Sequence, residues 1–223
     1  IFTLINFFCL LTTLFLITKF ISFKNTFSIL FFTLVINYRY LESHVSNNQV
    51  ALILILLMLL SIYVKSDALA GILLSLAILI KLTPAIFLFY FLYKRQFKRF
   101  GYTLLFSFVW TLLPNAMKNP AFRSWKNNQS LIATIAKYFM VGADPLNQTL
   151  FGMPFLDLEA KTIKYIFYLC SLLIGFPFLY KLKNGFSDVG LISILFILSA
   201  IFSGVSWVHS FVVLLFPIAY LLH

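Results

Sequence analysis

Nine apolar runs, closed by basic or polar residues and in one case by Pro114, leave this sequence few ways to fold. The runs cover residues 1–17, 27–36, 50–64, 68–80, 85–93, 100–113, 163–180, 189–202 and 207–222. They leave too few polar side chains for a water-facing surface, because hydrophobic residues make up 62% of the chain and charged ones 10%. A bilayer solvates such runs, and only helices and closed barrels cross it with every backbone group satisfied. The runs lack the polar-apolar alternation of a barrel strand, so the expected fold class is all-α. It is a polytopic transmembrane helix bundle of about nine apolar helices forming a single domain over residues 1–223.

Basic residues set the orientation. Lys19, Lys24, Lys65, Lys94, Arg95, Lys98, Arg99, Lys181 and Lys183 close apolar runs, nine of the 17 Lys and Arg. Alternating the runs puts all nine on one side, the cytoplasmic one by the positive-inside rule. A net charge of +11 therefore reads as loop anchoring. Nucleic-acid binding is excluded as a function class, since no basic face belongs to a wet fold. Runs 68–80 and 85–93 admit an alternative reading as one long helix kinked at Pro84. That reading would separate Lys65 from the Lys94–Arg99 cluster. The expected location is a multi-pass, bacterial-type plasma membrane.

Several runs are short. Thirteen helical residues reach only ~20 Å, against a hydrocarbon thickness of ~30 Å. Short spans are stable where their polar ends line a cavity inside protein. Four polar groups fall on the face opposite the basic loops. The first is Glu42–Gln49, with His44, Asn48 and Gln49, suited to sugar hydroxyls or a phosphate, or simply to a solvated, capped loop. The second is Lys81-Leu82-Thr83-Pro84, whose lysine must snorkel or meet an anion such as a lipid headgroup. The third is Asn128-Gln129-Ser130 within the long outer loop 115–162, a stretch that also matches the weak N-glycosylation pattern, as does Asn147-Gln148-Thr149. The fourth is Ser206-Trp207-Val208-His209, where Trp207 fits an interfacial anchor and His209 needs a partner.

No metal set is legible, and no cofactor is implied. His44, His209 and His223 lack ligand spacing. Cys9 and Cys170 both lie in apolar runs and read as buried thiols.

In this order the four groups resemble the polyprenol-phosphate-sugar-dependent glycosyltransferases of family 87, membrane enzymes of the GT-C fold that are mannosyltransferase-like. Asn48-Gln49-Val50 looks like that family's Gly-Gln-Val/Asn. The most specific match runs from Gly71 through Lys81-Leu82-Thr83-Pro84 to Lys94-Arg95. Asn128-Gln129-Ser130-Leu131 and Ser206-Trp207-Val208-His209, leading to Leu214–Pro217, complete it over about residues 40–222. Asn48 replaces the usual glycine, and Ser210 stands where a second histidine is common.

The resemblance implies transfer of a hexose, mannose in the first instance, from a polyprenyl-phosphate donor. A lipid or glycan acceptor would receive it on the non-cytoplasmic face. Lys81 and Thr83 would hold the donor phosphate, and His209 would orient the phosphate or the sugar. Asn128, Gln129 and Ser130 would contact sugar hydroxyls, with Trp207 as a wall and Asn48, Gln49 and His44 as further contacts. The catalytic residue of this fold is an aspartate in the first outer loop. Such a loop would lie upstream of Ile1, so the chain reads as an N-terminally truncated member. A transporter or flippase of lipid-linked sugars and an inactive membrane scaffold are the competing readings, and no inverted repeat supports the former.

Overall fold

The computed structural model describes residues 2–47, 49–111, 158–202 and 208–223. Every regular element among them is helical. They are α1 (Phe2–Phe20), α2 (Thr26–Ser46), α3 (Ala51–Tyr63), α4 (Asp67–Ile80), a 3-10 segment (Thr83–Phe87) leading into α5 (Leu88–Tyr93), and α6 (Phe97–Thr111). After the undescribed segment come α7 (Ala160–Asn184), α8 (Asp188–Ile201) and a second 3-10 segment (Val208–Leu214) leading into α9 (Leu215–Leu221).

These helices reproduce the nine runs with one large difference. The run at 27–36 was expected to be short, yet α2 has 21 residues and continues through the polar stretch to Ser46. It continues because Thr33, Asn37 and His44 share one buried face, while Arg39 and Glu42 stay outside. α2 then bends by 114° into α3. Among the described residues, two helical stretches are long and apolar enough to cross a membrane, Phe2–Phe20 and Lys161–Phe178, and the bent pair α2–α3 makes a third if counted as one span. The remaining apolar helices are shorter, among them Asp67–Ile80 and Asp188–Ile201.

Two Ser-Asp pairs organise the basic end. Ser66 caps α4 by accepting from the Leu69 N–H at 3.4 Å, and Ser187 caps α8 by accepting from the Gly190 N–H at 3.1 Å. Each cap is followed by an acid in the first turn, where a helix favours negative charge. Each acid takes a cation from the stretch around α5 and α6. Lys94 pairs with Asp188, and Arg99 Nε donates to Asp67 at 2.9 Å. The Arg99 terminal nitrogens also donate to the carbonyls of Ile62 at 3.2 Å and Val64 at 2.9 Å. Those are C-terminal carbonyls of α3 that no helical N–H can reach.

This clamp decides the topology. It places the start of α6 beside the start of α4, so both run the same way and the connecting residues 83–93 run in the opposite direction. The kinked single-helix reading of runs 68–80 and 85–93 is thereby corrected: Lys81 is extended, with φ −152° and ψ 137°, and the chain reverses there. Lys65 and Arg99 lie at one end of the bundle, where the Lys65 carbonyl accepts from Arg99 at 3.4 Å. Lys19 joins them, because Phe20 at the end of α1 meets Tyr63 at the end of α3 with ring centroids 6.2 Å apart.

The core lies around α3, with Leu52, Ile55, Met58 and Leu59 fully buried. A chain of rings crosses it: Phe87 to Phe196 at 4.9 Å, Phe196 to Phe216 at 5.6 Å, and Phe216 to Phe20 at 5.9 Å. It joins the first 3-10 segment, α8, α9 and α1. Outside, α1, α2 and α7 present Phe8, Phe15, Phe31, Phe32, Leu172 and Phe176, all exposed. So much bare apolar surface suits hydrocarbon rather than water.

α4 and α6 meet at Gly71. A β-carbon there would lie 2.5 Å from Tyr102 Cβ and 2.9 Å from the Thr103 backbone nitrogen. Small residues allow such close helix approach in membranes. Gly71→Ala is expected to cost ~1–3 kcal/mol through forced separation of the helices, read as a lower unfolding midpoint in detergent. Arg99→Lys keeps the charge but loses the planar fork, and a loss of ~1–3 kcal/mol is expected in the same measurement. Unchanged midpoints would refute either role.

Candidate functional site

Helices that start at the basic end finish together at the other. There, Ala51 at the start of α3, Lys81 at the end of α4, Thr83, Ser199 and Ala200 in α8, and Ser210 in the second 3-10 segment line one cavity. Leu54, Met58 and Val213 form its apolar floor. Its free volume is about 20 Å³, room for about one water. Each polar member arrives for a local reason. Lys81 ends α4 with its N–H bonded to the Ala77 carbonyl at 3.0 Å. Pro84 then stands in the first turn of the 3-10 segment, where its missing N–H costs nothing. The Ser199 hydroxyl donates back to the Phe196 carbonyl at 2.8 Å, which leaves its lone pairs to accept.

Lys81 is half-buried in the break between helices. An ammonium beside the hydroxyls of Thr83 and Ser210, with the Ser199 proton committed to Phe196, makes a polar, weakly solvated pocket. Such a set stabilises an oxyanion. None of the described residues lining it is acidic.

A second polar cluster adjoins the cavity through α3. His44 is fully buried, and its Nε2 lies 3.2 Å from Asn6 Oδ1. The Asn6 amide donates to the Gln49 carbonyl at 3.4 Å, and the Gln49 N–H donates to the His44 carbonyl at 3.1 Å. This ring of bonds ties α1 to the bend between α2 and α3, two residues before Ala51. The His44 ring thus faces Asn6, and Gln49 turns its side chain to the Asn47 carbonyl at 3.0 Å.

The structure therefore brings Lys81 and Thr83 together in the cavity and places His44 and Gln49 in the separate cluster with Asn6, at the bend just before Ala51. Asn48, Asn128, Gln129, Ser130 and Trp207 lie outside the described residues. His209 is placed by its backbone alone, in the segment Val208–Leu214, next to the cavity residue Ser210. Among the described residues, no group of three His, Cys, Asp or Glu could hold a metal. Sequence reasoning missed Asn6, Ser199 and Ser210. The signal for Asn6 was a lone amide inside the run 1–17, since a buried amide needs partners.

A family model matches residues 1–178 under the description glycosyltransferase family 87. The chain belongs to glycosyltransferase family 87. A family-87 glycosyltransferase works with a sugar donor and an acceptor, and both cavity-lining loop residues Lys81 and Thr83 fall within the matched part. The match includes the stretches around Gln49, Lys81 and Asn128 and ends before residues 206–217. No curated protein and no solved structure matches the chain.

Asn6→Leu in this glycosyltransferase removes one partner of a fully buried histidine. The expected loss is ~1–3 kcal/mol of stability, measured by thermal unfolding in detergent, with Asn6→Gln recovering part of it. Equal midpoints for Asn6→Leu and the parent would show that the His44–Asn6 bond carries no weight.

Proposed function

We propose that this family-87 enzyme moves a hexose, with mannose the first candidate, from a polyprenyl-phosphate donor to a lipid or glycan acceptor on the face opposite the basic loops. The observation that carries the reading is the cavity joining Lys81, Thr83, Ser199 and Ser210 where short apolar helices end. In a multi-pass protein of a bacterial-type plasma membrane, basic loops face the cytoplasm. The cavity then opens on the non-cytoplasmic side.

The chemistry follows from charge. As the sugar leaves, negative charge grows on the donor phosphate, and a fixed ammonium in a poorly solvated pocket stabilises that change. Lys81 supplies it, and Thr83 donates a hydrogen bond to the same phosphate. His209 orients the phosphate or the sugar, Trp207 walls the site, and Asn128, Gln129 and Ser130 bind sugar hydroxyls. Asn48, Gln49 and His44 complete the contacts, His44 acting through Asn6. A carboxylate would take the proton of the acceptor hydroxyl as general base. At about 20 Å³ the cavity is too small for a sugar, so donor binding requires it to widen.

The test is sugar transfer in membranes supplied with radiolabelled polyprenyl-phosphate hexose. Lys81→Ala is expected to lower transfer by about 10²–10³-fold with the protein still folded, and Lys81→Arg to restore part of it. Transfer at the parental rate in Lys81→Ala would remove the phosphate role. Movement of the label across the membrane without transfer would favour a flippase.

A further inference from the structure

At the basic end, α7, α8 and α9 do not close on one another. They leave a groove of about 390 Å³, within the ordinary range of ligand pockets. Its long wall is apolar, with Phe186, Ile194, Ile197, Pro217 and Leu221. The groove exists because α7 docks weakly: Phe178 near its end meets Phe186 at 5.8 Å, while Leu172, Leu173 and Phe176 are exposed. The opening therefore faces the surroundings of α7, which are apolar.

Among the described residues, one charge lines this groove, that of Lys181. Its side chain is exposed, and among the described residues it enters no ion pair. Asp188, next to the groove residue Ser187, is already held by Lys94. The other polar groups are partly committed. Ser187 Oγ accepts from the Gly190 N–H at 3.1 Å, and the Ser193 hydroxyl donates to the Val189 carbonyl at 2.8 Å. Tyr220 adds a hydroxyl at the rim. An apolar trough with one uncompensated cation at its edge matches a molecule with a hydrocarbon tail and an anionic head. The neighbouring basic residues of this end favour the same charge.

We infer that this groove binds an anionic phospholipid from the leaflet at the basic end, with its phosphate at Lys181 and an acyl chain along Ile194, Ile197 and Pro217. A zwitterionic lipid would fill the trough without the net attraction. Free phosphate would meet Lys181 without the trough. The site is separate from the Lys81 cavity and does not depend on the glycosyl-transfer reading.

Native mass spectrometry of the purified full chain in detergent tests this. Dioleoyl phosphatidylglycerol, dioleoyl phosphatidylcholine and glycerol phosphate are each added as probes. The phosphatidylglycerol adduct is expected at about fivefold the phosphatidylcholine adduct, the preference one lysine confers near a surface. Lys181→Gln should bring that ratio to about one, and Ile194→Trp should reduce both adducts by filling the trough. Equal retention of the two lipids by the parent, an unchanged ratio in Lys181→Gln, or displacement of the lipid by millimolar glycerol phosphate would each overturn the inference. Should Ile194→Trp fail to elute as a folded species in gel filtration, the parent and Lys181→Gln comparison decides.

Discussion

Arg99 holds the ends of three helices at once. Its side chain, 11% exposed, reaches Asp67 at the start of α4 and the carbonyls of Ile62 and Val64 at the end of α3 from its own place in α6. The last carbonyls of a helix have no helical N–H to accept from, and a donor-rich side chain beside them supplies the missing partners. A planar guanidinium with five donors meets several at once, which an ammonium cannot do with the same geometry. With α3, α4 and α6 registered at one end, the length of α4 alone sets where Lys81 emerges. Close contact at Gly71 keeps α4 and α6 parallel up to that point.

The candidate site is thus made from places where helices stop. α4 has 14 residues, about 21 Å, and falls short of a ~30 Å hydrocarbon layer. A polar group at such an end is stable only when protein surrounds it. Lys81, Thr83, Ser199 and Ser210 satisfy that condition together, while Asn6, His44 and Gln49 satisfy it by bonding to one another. The enclosure that makes these groups tolerable also gives them chemical strength, because charge is poorly screened there.

Much of the fold was legible in the residues. Run lengths and closing lysines marked the helices to within a few positions, and the break at Lys81–Pro84 was visible as a lysine followed by a helix-opening proline. α2 was the exception. Its polar half reads as loop, because Thr33, Asn37 and His44 look unfavourable until their buried face is known. Gly71 stood out in the resemblance, but its reason, the approach of Tyr102 and Thr103, depends on α6. Ser199 carried no signal at all, since single serines in apolar helices are common, and Ser210 stood out only as a departure from the family pattern.

By itself the sequence determined that the chain is a helical membrane bundle with a basic end and a polar end. Those are properties of transfer between water and hydrocarbon, which each segment settles for itself. Only the tertiary structure decided which polar residues meet: Asn6 with His44, Arg99 with Asp67, and Lys81 with Ser199 and Ser210. These partners come from different helices, dozens of positions or more apart. Their meeting depends on helix length, crossing and register, and those quantities come from packing rather than from any local preference.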